Sequence, residues 1–142
     1  MEGQWQPTSA SGDSPQLLRR TLRANAIFCG GSGLFLLLAA QPVAAFLGWP
    51  EALALRVLGL VLVLYGVELA FVSRPAGGRR PAIDRRLAWV AVVLDVLWVL
   101  GSVALIFSNQ IPLTVAGKWA VALVADVVAL FAVLQYVGVR RM

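Results

Sequence analysis

Of 142 residues, 60% are hydrophobic and 13% charged, against about 45–50% apolar and about 25% charged in soluble domains. Four apolar segments of about 20 residues with short connections use nearly all of this length, which leaves no room for a separate soluble catalytic domain. The net charge is +5, but the basic residues stand beside apolar segments and build no basic domain, so no nucleic-acid partner is expected.

Residues 1–16, MEGQWQPTSASGDSPQ, mix Ser, Gly, Pro and Gln with little apolar content. Such a segment cannot offset the entropy of ordering, and it reads as a disordered tail. It has no basic n-region, apolar h-region or cleavage site, so the first apolar segment is expected to be retained. From Ala24 to Pro50 no residue is charged, and the spacing predicts a first membrane helix over about 24–47. Gly30, Gly31 and Gly33 within it mark a face where helix backbones can approach closely.

A second helix is predicted over 52–72, ended by the breakers Ser73-Arg74-Pro75-Ala76-Gly77-Gly78. Gly59, Val63, Gly66 and Ala70 form a small-residue stripe along it, suited to an intrachain contact or to self-association. The third helix covers 87–107. Asn109, Gln110 and Pro112 make a short polar turn, and the fourth helix runs over 117–139. The expected fold is all-α: a four-helix transmembrane bundle over 17–142, with sequential helices antiparallel and adjacent.

Arg19, Arg20, Arg23, Arg74, Arg79, Arg80, Arg85, Arg86, Arg140 and Arg141 flank one set of helix ends, and only Arg56 and Lys118 lie toward the other. Positive residues accumulate in cytoplasmic loops, so both termini and the basic loop are expected on the cytoplasmic side of a cell membrane. The arginines read as topology determinants before they read as a ligand site. Trp49 and Trp119 then fall at the outer interface, and Trp89 and Tyr136 at the inner one, where amphipathic rings partition.

The two halves of the chain align with an offset of about 70 residues. Gly31-Ser32 matches Gly101-Ser102, Pro42 matches Pro112, and Trp49 matches Trp119. Each half would be one helical hairpin, and hairpins in the same orientation make a parallel tandem repeat. A chance match within a small apolar alphabet is the competing account.

Ionisable groups in a bilayer cost about 2.5–3.5 kcal/mol at a helix centre, so each needs a partner or a purpose. The polar candidates are Asp95, Asp126, Arg56, Glu68, Trp98 and Ser102. Helical spacing aligns Ala88, Ala91, Asp95, Trp98 and Ser102 on one face of the third helix, and Ala122, Asp126, Ala129 and Val133 on one face of the fourth. Small neighbours would shield each carboxyl, so both aspartates are expected to face the interior, near the midplane. Arg56 is the expected ion partner of Asp126, and Glu68 is shallow enough to reach Arg20, Arg23 or Arg74. The pair Asp95 and Asp126 reads either as polar glue between helices or as a protonatable transport site.

Without histidine and with one cysteine, Cys29, the chain has no bis-histidine haem ligation, no histidine-based zinc site, no CxxC pair and no histidine-activated nucleophile. No cofactor or metal is expected, and no enzymatic activity. Cys29, in a row with Asn25 and Ser32, reads as a small packing residue.

The runs Leu22-Arg23-Ala24-Asn25-Ala26, Leu55-Arg56-Val57-Leu58-Gly59 and Asp95-Val96-Leu97-Trp98-Val99-Leu100-Gly101-Ser102 resemble small four-helix bacterial inner-membrane proteins of unassigned function. The likeness covers about Leu18 to Arg141. It implies a fold and a location and carries over no catalytic residue. The functional expectation is therefore a structural or accessory membrane protein, acting with the lipid bilayer, a second copy of itself or a membrane-protein partner. The alternative is a small proton-linked transporter or channel using Asp95 and Asp126.

Overall fold

The computed structural model describes residues 13–74 and 83–142. The described residues form five helices: α1 (Asp13–Leu38), α2 (Ala40–Leu47), α3 (Ala52–Val72), α4 (Arg85–Phe107) and α5 (Val115–Arg140). Four of them, α1, α3, α4 and α5, are long and apolar enough to cross a bilayer. This is an integral membrane protein, all-helical and with four spans among the described residues. Of the disordered tail expected over residues 1–16, residues 1–12 lie outside the described residues, as do the loop arginines Arg79 and Arg80, while residues 13–16 are helical and belong to α1.

The predicted first helix differs from the observed one at both ends. α1 starts at Asp13, eleven residues before the apolar run, because Leu18, Leu22 and Ala26 are buried at helical spacing while Arg20 and Arg23 stay exposed. The first turns are thus amphipathic, and their apolar stripe packs with Leu69, Ile83, Ala88, Ala91 and Val139 in a cluster at the arginine-rich end. The predicted single span over 24–47 is also interrupted at Ala39. Pro42 has no N–H to donate to the carbonyl of Leu38, and its ring crowds that carbonyl. The chain breaks there and resumes as α2, which Gly48 closes in the left-handed conformation with φ 74°.

α1 packs most extensively on α3, α4 packs on α5 over a smaller area, and α1 also lies along α5. Glycine sets the α1–α3 distance. A Cβ on Gly59 would stand 2.7 Å from the carbonyl oxygen of Gly33, and one on Gly66 would stand 2.8 Å from that of Ala26. The stripe of Gly59, Val63 and Gly66 therefore serves an intrachain contact. Gly31 faces outward and touches nothing, so of the three α1 glycines it has no part in this packing.

The expectation that all sequential spans are adjacent fails at one seam. α3 and α4 are consecutive in the chain but make no extensive backbone contact. They are joined by the longest connection, residues 73–84, and a long tether does not force its helices together as a tight turn does. At the end opposite the arginines, Thr114 ties the two halves. Its N–H donates to Leu47 O at 2.9 Å and its hydroxyl to Phe46 O at 2.6 Å, while that hydroxyl oxygen accepts from Gly117 N at 2.9 Å as the α5 N-cap. At the basic end Trp89 meets Tyr136 edge-on at 5.7 Å, and Arg140 donates to the Tyr136 hydroxyl at 3.1 Å.

The internal repeat has a structural counterpart. The positions Leu18 and Ala88, Leu55 and Ala125, and Leu69 and Val139, each related by the same 70-residue step, are all buried. The match is partial: Gly33 and Gly66 are buried where Val103 and Tyr136 at the same step are exposed, and Pro42 lies within α2 where Pro112 is non-helical.

Candidate functional site: a polar cluster around Asp95 beneath an apolar cavity

Asp95 is the eleventh residue of α4 and is 2% exposed. Ala88, Ala91 and Val92 are buried on the same face, so the periodicity that buries this helix also carries the carboxylate inward. Three helices supply its hydrogen bonds. Asn25 of α1 donates from Nδ2 to Oδ2 at 2.7 Å, and Gln135 of α5 donates from Nε2 to the same oxygen at 3.0 Å. Tyr65 of α3 donates its hydroxyl to Oδ1 at 3.1 Å, with Ala91 O as an alternative acceptor at 3.3 Å. Cys29 extends the network by donating Sγ–H to Asn25 Oδ1 at 3.2 Å.

The cluster therefore has one member, at least, from every membrane-spanning helix. Its four principal residues form two repeat-related pairs, Asn25 with Asp95 and Tyr65 with Gln135. The amide oxygen Oε1 of Gln135 is buried without a hydrogen-bond partner.

Ser102, 8% exposed, lies two turns from Asp95 on the same face, and its hydroxyl donates to Trp98 O at 2.9 Å within α4. Trp98 is half-buried and its Nε1 has no acceptor. Of the sequence candidates, then, Asp95, Trp98 and Ser102 gather along one side of α4.

Asp126 does not join them. It is exposed on α5, as is Arg56 on α3, and no ion pair links the two. The buried stripe of α5 is Ala125, Val128, Ala132, Gln135 and Val139. Asp126 lies a 100° step from Ala125, so in the row Ala122, Asp126, Ala129 and Val133 the aspartate and valine are exposed and the two alanines half-buried at the edge of the core. α3 and α5 moreover do not pack on each other. Glu68 is likewise exposed on α3 and forms no ion pair among the described residues.

Register with the cluster also resets the depth of Asp126. Arg56 and Asp126 stand nine residues from Tyr65 and Gln135 respectively, about 13 Å toward the Asn109 end at 1.5 Å per residue. Asp126 is level with Arg56 and well away from the plane of Asp95.

Above the cluster, toward the Asn109 end, the bundle forms an apolar cavity of about 610 Å³ that is open on one side. Phe35 of α1, Pro42 and Phe46 of α2, Leu58 of α3, Trp98 of α4 and Val124 of α5 are among its walls. A smaller chamber of about 190 Å³ continues toward Asp95 and Tyr65, and Ser32, Leu62, Trp98 and Val124 border both. Val61 of α3 and Leu94 of α4, which border the smaller chamber, are both exposed. A strict repeat would pack α3 on α4 as α1 packs on α5, so the cavity is where the two halves depart from symmetry.

The sequence reading missed Asn25, Tyr65 and Gln135 as partners of Asp95. The available signal was the 70-residue step itself, which already paired Asn25 with Asp95 and Tyr65 with Gln135.

Comparison with protein-family models, with curated proteins and with solved structures gave no match.

Proposed function

We propose that this chain is a non-catalytic membrane protein with a structural or accessory role. It would reside in a cell membrane of bacterial type, with both termini and the arginine-rich connection on the cytoplasmic side. The observation that carries this reading is the use made of Asp95. Its carboxylate accepts three hydrogen bonds from three other helices, an arrangement that selects one helix packing. The orientation is supported by the clustering of arginines at one end.

Proton-linked transport is the second reading, favoured by one observation: Asp95 borders a chamber that adjoins the larger cavity across Ser32, Leu62, Trp98 and Val124. A pH-jump assay in proteoliposomes, comparing wild type with Asp95→Asn, separates the two. The accessory role expects equal and negligible proton movement in both, with each protein folded. Proton flux that the wild type shows and Asp95→Asn abolishes would overturn it in favour of transport.

A further inference from the structure

The inner chamber holds a combination of groups that helix packing alone does not use. Three aromatic side chains border it, Phe28 from α1, Tyr65 from α3 and Trp98 from α4, together with the carboxylate of Asp95. The three donors to Asp95 are all uncharged, and no Lys or Arg borders either chamber. Hydrogen bonds therefore satisfy the carboxylate oxygens without supplying a countercharge, and in a medium of low dielectric a lone charge attracts a cation strongly. Aromatic faces attract ammonium groups through the ring quadrupole, and the effect grows when water is excluded.

We propose that the two chambers form one binding site for an amphiphilic ammonium ion, a protonated or quaternary amine carrying an apolar tail. The head sits among Phe28, Tyr65 and Trp98 beside Asp95, and the tail lies in the outer cavity against Phe35, Phe46 and Leu58. The outer cavity, at about 610 Å³, falls within the about 300–1,000 Å³ of pockets that enclose small organic ligands. The absence of basic residues from the lining disfavours anionic lipids and carboxylates. Entry is lateral: Val61 and Leu94, which border the inner chamber from α3 and α4, are both exposed to the bilayer. An amphiphile partitioned into lipid reaches the site through this seam. The proposal is independent of whether the amine is held or moved.

The test titrates the full-length protein in lipid nanodiscs with three probes of one tail length: octyltrimethylammonium, octan-1-ol and octanoate. Empty nanodiscs provide the partitioning blank. The expected result is saturable binding of octyltrimethylammonium, about tenfold or more tighter than octan-1-ol, with no saturable binding of octanoate. Asp95→Asn should weaken the ammonium by about tenfold or more, and Trp98→Leu or Phe28→Leu by about two- to tenfold. Asp126→Asn removes an exposed carboxylate on the lipid face and should change nothing. Equal affinity for octan-1-ol and octyltrimethylammonium would overturn the proposal, reducing the site to an apolar void. So would an effect of Asp126→Asn as large as that of Asp95→Asn, which would indicate surface attraction. Should Asp95→Asn fail to fold, the two aromatic variants decide: unchanged ammonium affinity in both overturns the site.

Discussion

Asn25 and Asp95 occupy equivalent positions in the two halves of the chain, seventy residues apart, and they meet in the core with Nδ2 and Oδ2 at 2.7 Å. The contact joins the first and third membrane spans, which are not neighbours in sequence. A repeat that places a polar residue at the same buried position of each hairpin brings the two residues together when the hairpins close on one another. In the first half the position carries a donor and in the second an acceptor, so the pair is complementary where two identical residues would compete.

Removing the donor should be felt across the bundle. Asn25→Leu leaves Asp95 short of one hydrogen bond in a medium with no water to replace it, at an expected cost of about 1–2 kcal/mol. Ser102→Ala, which deletes a hydroxyl bonded only to the carbonyl of Trp98 in its own helix, should cost less than about 0.5 kcal/mol. Unfolding in mixed micelles by increasing SDS measures both. Equal destabilisation by the two variants would contradict a cross-helix role for Asn25.

Glycine positions separate in the same way. A methyl group at Gly66 meets backbone atoms of Ala26 and Gly30 at 2.8 Å, whereas one at Gly101 meets nothing within 4 Å. Backbone cannot move aside as a side chain can, so Gly66→Ala should part α1 from α3 and cost about 1–3 kcal/mol. Gly101→Ala should be neutral, or stabilising by up to about 1 kcal/mol through helix propensity. Thermal unfolding in detergent distinguishes these outcomes, and a Gly66→Ala protein as stable as wild type would show that the helices pack less closely than described.

Arg56 and Asp126 provide a prediction of no effect. Both are exposed, on helices that do not pack together, so Arg56→Leu, Asp126→Leu and the double variant should each leave thermal stability in detergent within about 0.5 kcal/mol of wild type. A loss in either single variant that the double variant restores would instead reveal an ion pair between them.

Hydropathy by itself determined the number of spans, their approximate limits and the end at which the arginines gather. A membrane helix must satisfy its backbone internally and cover about 30 Å with apolar side chains, and both demands are local in sequence. The bounds of α3 could be read to the residue for this reason, and the burial of Asp95 followed from its neighbours Ala88 and Ala91 on one helical face. Tertiary structure decided which faces turned inward. The row Ala122, Asp126, Ala129 and Val133 has the same spacing and small residues as the row around Asp95, yet its aspartate is exposed. In a bilayer both the core and the surface of a bundle are apolar, so the contrast that orients an amphipathic helix in water is missing. Direction came instead from long-range contacts: the glycine approach of α1 to α3, the hydrogen bonds of Thr114 to Phe46 and Leu47, and the donors that Asn25, Tyr65 and Gln135 aim at one carboxylate. The wide spacing of α3 and α4, which touch through Tyr65 but do not pack closely along their backbones, is likewise a product of packing, because no local pattern records how near two helices come.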